Sequence, residues 1–143
     1  MPFLPHKSVL AVAAVTDVAL NACNSPISAK ALAKRHHLPS RHLDGLLQAL
    51  VRKGILKGMR GPRGGYELAR SQRQITAYDI ARAARTVDDD TEESVFGSPL
   101  VSGVVAPALA KAENVFAKAL ARISVEDLAR SASVLKVNKD GKG

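Results

Sequence analysis

Along this chain, apolar positions recur at helical spacing in most segments and give way to short strand-like runs in one place only. Over residues 6–22, Leu10, Ala13, Ala14 and Asp17-Val18 follow a helical period, which predicts an amphipathic or buried first helix. Asn24-Ser25-Pro26 ends it, because the residue before a proline is pushed out of the helical region. Ser28 is a natural N-cap, with Ile27 before it as an apolar staple, for a short helix over residues 29–35. Leu38-Pro39-Ser40 marks a turn, and a further helix is expected over residues 40–52. There Leu43, Leu46, Leu47 and Leu50 make a single stripe facing a core. Gly54 closes this helix where a left-handed residue is wanted.

Two short helices joined by about four residues form a helix-turn-helix. Leu32, Leu38, Leu43 and Leu46 can share its core, Ala33 is small where the helices cross, and His37 stands where such turns often carry glycine. Next come strand-like runs at 55–60 and 66–69, separated by Gly61-Pro62-Arg63-Gly64-Gly65. A hairpin after a helix-turn-helix is a winged helix. Thr76-Ala77-Tyr78-Asp79 reads as a capping box that starts a helix through residue 85, with Ile80 and Ala84 inward.

Beyond it the pattern changes. Asp88-Asp89-Asp90-Thr91-Glu92-Glu93, followed by Gly97, Pro99 and Gly103, reads as an acidic flexible linker. Residues 104–123 then carry a long apolar stripe, Leu109, Ala112, Phe116, Leu120 and Ile123, with Lys111, Lys118 and Arg122 outside it. Such a rod either packs on its own core or pairs with a second copy. Ser124-Val125-Glu126-Asp127 caps a short last helix to about residue 132. The fold class expected is mainly α with a small β-hairpin. Residues 1–85 form the winged helix-turn-helix domain, 86–103 the linker, 104–135 a dimerisation helix with a short terminal helix, and 136–143 a disordered tail.

Charge sharpens this division. Residues 1–85 hold 14 Lys and Arg against 4 Asp and Glu, whereas residues 86–143 hold 7 against 9. The whole excess behind the formal charge of +8 therefore lies in the winged-helix part, which suits a polyanionic partner. Aromatics make up only 3% and tryptophan is absent, which argues against binding single strands by base stacking. An anionic membrane is the weaker alternative, since no apolar run has the length of a bilayer span. The segment from Lys7 to Val15 looks like a secretory core, but Asp17 interrupts it, and a cytoplasmic location is expected.

Chemistry-bearing constellations are sparse. One cysteine, Cys23, excludes a disulfide framework, and a small buried thiol is its ordinary role. His36, His37 and His42 are close in sequence, but adjacent turn histidines point apart and no further ligand has zinc spacing. The acidic run at 88–93 is read as solvated and not as a cation site. Gly61 to Gly65 lacks the ending of a phosphate-binding P-loop, and no nucleophile–base set stands out. No catalytic residue, metal or cofactor is expected, and the chain is not read as an enzyme.

The run Ile27-Ser28, Ala31-Leu32-Ala33, Leu38, Arg41, Leu43, Leu46-Leu47, Leu50, Gly54-Ile55-Leu56, Arg60-Gly61-Pro62-Arg63-Gly64-Gly65-Tyr66-Glu67-Leu68-Ala69 and Ile75-Thr76-Ala77-Tyr78-Asp79-Ile80 resembles the IscR/NsrR/CymR (Rrf2) family of bacterial transcription regulators. The resemblance covers residues 6–85 well and the long helix more loosely. It implies a homodimeric regulator of double-stranded DNA with the long helix crossing between subunits. Iron–sulfur members carry three cysteines between the fourth helix and the long helix, and this chain has none there. It therefore resembles the cluster-free members, whose signals come through protein partners or small-molecule ligands. Further departures are His42 and Gly45, where the family often has an aromatic and a longer polar residue.

The residue roles that follow are expectations. Ser40, Arg41, His42 and Asp44 face the major groove, with Arg41 reading guanine. Arg60, Arg63 and Gly64 carry the wing into the minor groove. Ser28, Lys30, Arg52, Lys53 and Lys57 hold phosphates. Leu109, Ala112, Phe116, Leu120 and Ile123 form the dimer interface. Repression is the favoured mode. The alternative is a winged helix that binds protein or RNA, and the Arg-bearing wing favours nucleic acid over protein.

Overall fold

The computed structural model describes residues 4–21, 26–36, 40–62, 64–85 and 98–141. Among these, six helices and one antiparallel hairpin follow in order: α1 (His6–Leu20), α2 (Ala29–Arg35), α3 (Ser40–Arg52), β1 (Leu56–Met59), β2 (Gly65–Leu68), α4 (Ala77–Arg85), α5 (Ala106–Ala121) and α6 (Val125–Gly141). A π-helical turn, Val101–Val105, leads into α5. The mainly helical winged-helix architecture is the one expected. Cys23, His37, Leu38, Arg63 and residues 86–97 of the acidic segment lie outside the described residues.

α1 is rich in alanine and valine, so neighbours approach it from several sides. Ala11, Ala14, Val15, Val18 and Ala19 are all buried, and the helix packs against α4, α6 and β2. Around it Leu32 of α2, the α3 stripe of Leu43, Leu46, Leu47 and Leu50, Ile55, Leu56, Ile75 and Ile80 complete one core. The end of α3 is a Schellman motif. Gly54 adopts φ +74, its N–H donates to the Val51 carbonyl at 3.0 Å, and the Ile55 N–H donates to Leu50 at 2.9 Å. Ile55 and Leu50 are buried together beneath the turn.

The hairpin register pairs Leu56 with Leu68, Lys57 with Glu67, Gly58 with Tyr66 and Met59 with Gly65. A third strand-like contact joins it. Ile27, just before α2, exchanges both backbone hydrogen bonds with Tyr66, at 3.0 and 2.8 Å. Gly65 permits this approach: a β-carbon there would stand 2.6 Å from the Ile27 carbonyl carbon and oxygen. Ile27, expected as a helix staple, thus also fastens the wing to the helix-turn-helix.

α4 and α6 start side by side. Thr76 and Asp79 exchange capping hydrogen bonds at 3.1 and 3.2 Å, and Ser124 and Asp127 do the same at 3.3 and 3.1 Å. The Ala77 N–H then donates to the Ile123 carbonyl and the Val125 N–H to the Ile75 carbonyl, each at 2.8 Å. Each helix start thereby satisfies an amide of the other that an isolated helix would leave free.

This pairing corrects two boundaries. Val125 and Ala129 belong to the same buried cluster as α1, so the helix after Ser124 is part of the winged-helix core and not of a separate 104–135 unit. That helix also runs to Gly141, where a stop near residue 132 and a disordered tail at 136–143 were expected. A capped and packed first turn supplies the nucleus, and extension of a helix with no proline costs little after that. The rod, expected over residues 104–123, takes its π-helical turn just before Pro107, which has no amide hydrogen to continue the regular ladder.

Gly65→Ala should lower stability by about 2 kcal/mol or more, because the added methyl forces β2 away from Ile27. Urea unfolding of the two proteins measures it; equal midpoints and slopes would show that the bridge contributes nothing.

Candidate nucleic-acid interface

The surface expected to meet nucleic acid is built by α2, α3 and the hairpin. Ser28 caps α2, its Oγ accepting the Ala31 N–H at 3.1 Å, and the hydroxyl proton stays available to donate outward. Lys30, Asp44, Arg52 and Lys53 are exposed. Ser40, Arg41 and His42 begin α3; their side chains lie outside what the structure describes. Lys57 is exposed but sits 3.3 Å from the Glu67 carboxylate directly across the hairpin, which offsets part of its charge. Arg60 is exposed at the end of β1, and the Gly64 N–H closes the wing turn on the Gly61 carbonyl at 2.9 Å. Arg63 is again outside the described residues.

The structure thus brings the α2 cap, the α3 end and the wing onto one frame, because the Ile27–Tyr66 bridge couples the first of these to the last. A second coupling was not read from the sequence. Asp17 of α1 accepts hydrogen bonds from Arg35 Nη1 and, at 3.1 Å, from Asn21 Nδ2, and His36 Nε2 lies 3.4 Å from its other oxygen. The Asp17 side chain is 12% exposed. It thus holds the last residues of α2, and with them the start of the turn into α3. The available signal was the one carboxylate in the largely apolar stretch from Val9 to Leu20, where a poorly exposed charge needs a partner.

The expected dimer stripe behaves differently from the core. α5 contains no buried residue among those described. Leu109, Phe116 and Ile123 are exposed, at 61%, 39% and 39%, as is Ala112. Leu120 is half-buried with Ala106 and Ala117, on the side where Glu113 approaches Arg85 of α4 at 3.8 Å. Ala119, which the stripe omitted, is exposed. With it the open face reads Leu109, Ala112, Phe116, Ala119, Ile123, a strict alternation of three and four.

Comparison with known proteins agrees on family and fold. The family described as Rrf2, iron-dependent transcriptional regulator, matches residues 4–131. The slr0846 protein of Synechocystis sp., assigned by name to the HTH-type transcriptional regulators, is 42% identical over 80 residues, covering 56% of this chain and 54% of that protein. The HTH-type transcriptional regulator IscR of Cronobacter sakazakii is 32% identical over 88 residues, covering 62% and 54%. The chain thus spans about half the length of the curated relatives it matches. Among solved structures, T. potens IscR superimposes with a TM-score of 0.69 at 29% identity, covering 90% of this chain and 87% of that one. CymR, the global cysteine regulator of B. subtilis, gives 0.70 at 24% identity over 92% and 98%, a likeness of fold alone.

Iron is named in the family description, and the donors here do not fit a thiolate-held cluster. The chain has one cysteine, Cys23, and none at 86–105. Among the described residues, no group of three His, Cys, Asp or Glu side chains is placed to hold a metal ion. Nor is any helix there long and apolar enough to cross a membrane.

Asp17→Asn keeps the shape and removes the charge that Arg35 meets. We expect a loss of about 1 kcal/mol, reduced from a fully buried value because Arg35 is half exposed. Amide exchange should rise first in α2. Unchanged exchange there would show that α2 is held by packing alone.

Proposed function

The chain belongs to the Rrf2 family, whose named members are transcriptional regulators, and on that premise we propose that it binds double-stranded DNA as a homodimer and represses transcription by occupying its operator. The observation that carries the reading is the wing bridged to the helix-turn-helix through Ile27 and Tyr66, set in the half of the chain that holds the positive excess. A helix and a loop held on one frame can enter adjacent grooves together.

In this reading α3 lies in the major groove with Ser40, Arg41, His42 and Asp44 on its leading turns. The Arg41 fork reads guanine O6 and N7, and Asp44 accepts from cytosine or orients Arg41. Arg60, Arg63 and Gly64 present the wing to the minor groove. Ser28, Lys30, Arg52, Lys53 and Lys57 hold phosphates, with Lys57 contributing least because Glu67 already faces it. Residues 1–85 with α6 would be the DNA-binding body, 86–103 the linker and α5 the dimer contact. A signal from a protein partner or a small ligand would act on this assembly without an iron–sulfur cluster.

The second copy is argued from α5 itself. Large residues at 109, 116 and 123 alternate with alanines at 112 and 119. Two such helices running antiparallel about Asn114 set Phe116 on Ala112 of the partner subunit and Leu109 on Ala119 of the partner subunit. Large residues then meet alanines in these layers. A two-fold pair of this kind reads a near-palindromic site, and a dimer seated there occludes the duplex.

Selection of genomic fragments should enrich a palindrome, and Arg41→Ala should weaken binding to it by about 1–3 kcal/mol while relaxing preference at one position per half-site. Equal weakening on every duplex would restrict Arg41 to backbone contact. Phe116→Glu should yield monomers in sedimentation experiments and lose cooperative binding to the full site. A dimer that persists would place the interface elsewhere.

A further inference from the structure

Away from the first turns of α3 and from the wing tip, a cleft of about 190 Å³ opens between the end of α3, the root of the hairpin and α4. It is lined by Lys53, Ile55, Arg70, Asp79, Arg82 and Ala83. We propose that this cleft is a binding site for a phosphate-class oxyanion, held by Lys53, Arg70 and Arg82.

Three cations line it against one carboxylate, Asp79, whose Oδ2 accepts the Thr76 N–H as part of the α4 cap and whose single charge the three cations outnumber. No carboxylate among the described residues pairs with Lys53 or Arg82. Arg70 donates through Nε to the Gly54 carbonyl at 3.2 Å, which orients its guanidinium and leaves both terminal nitrogens to donate elsewhere. Ile55 and Ala83 form a buried apolar floor, and Lys53, Arg70 and Arg82 stand exposed around it, so an ion there keeps part of its hydration. Guanidinium forks match the oxygens of a phosphate, and like charges around one small space repel until an anion enters.

A purely structural role explains part of this cluster. Lys53 and Arg70 stand at the carbonyl end of α3, where positive charge is favourable. Arg82 stands in the last turn of α4, where the same effect applies to its own helix, so it is the convergence of cations from α3, the root of the hairpin and α4 on one cleft that points to a ligand. The oxyanion has two sources. One is a backbone phosphate of bound duplex, which rests on the DNA-binding reading above; the other is a free phosphate-bearing molecule.

The test uses the full chain, Arg82→Gln and, as a remote charge-matched control, Lys118→Gln. Thermal unfolding is followed with inorganic phosphate or pyrophosphate against chloride at equal ionic strength, and duplex binding is followed over a salt series. A free-anion site is supported if phosphate or pyrophosphate raises the wild-type and Lys118→Gln midpoints specifically, with apparent affinity at least about tenfold weaker in Arg82→Gln. A backbone site is supported if Arg82→Gln alone lowers the salt slope of duplex binding by about one. The proposal is overturned if neither anion exceeds chloride in its effect and the slope is unchanged. Failure of the wild-type chain to prefer any duplex would sink the regulator reading instead, leaving the anion titration to stand by itself.

Discussion

Two backbone hydrogen bonds between Ile27 and Tyr66 hold the hairpin to the helix-turn-helix. A two-stranded hairpin is at best marginally stable in water without further packing. Here the bridge adds a third strand-like edge, and Tyr66 and Leu68 rest against the core that α1, α2 and α3 share. The wing therefore moves with the residue that precedes α2 and not as a loose flap. The cost is steric: the approach leaves no room for a side chain at residue 65, which is why a glycine stands there and not merely somewhere in the turn.

The second constraint is the pairing of the two helix starts at Thr76 and Ser124. Each capping box satisfies its own first turn, and the crossed bonds from Ala77 and Val125 join the two. This fastens the end of α5 to the beginning of α4 and returns α6 to α1. α5 is left as a rod held at its far end, with Leu120 and the Arg85–Glu113 pair on its inner side and its apolar face open. This open apolar face is the surface on which the proposed second copy would seat. In the dimer proposed above, the same anchoring would carry a change in how two rods pair into α4, and so to the helices packed on it.

Membership of a family described as iron-dependent does not by itself supply iron chemistry. The fold is shared across the match, while the donor set is a property of individual side chains, and this chain carries one cysteine. The charged surface includes the Lys53, Arg70 and Arg82 cleft, which shares Lys53 with the expected phosphate contacts.

Much of the fold was legible in the order of residues because its signals are local. The α3 stripe, the glycine after it, the Thr76 and Ser124 capping boxes and the wing composition each act within a few residues, where spacing alone determines the geometry. What the sequence could not show are contacts between distant segments: Asp17 meeting Arg35, Ile27 meeting Tyr66, the crossed amides of α4 and α6, and Arg82 entering a cleft with Lys53 and Arg70. For the same reason the split after residue 85 misplaced α6, and the stripe on α5 took Leu120 where Ala119 completes the open face. A helical period says which residues share a side. Only the packed chain decides which side is already covered, because burial depends on what the rest of the molecule brings against it.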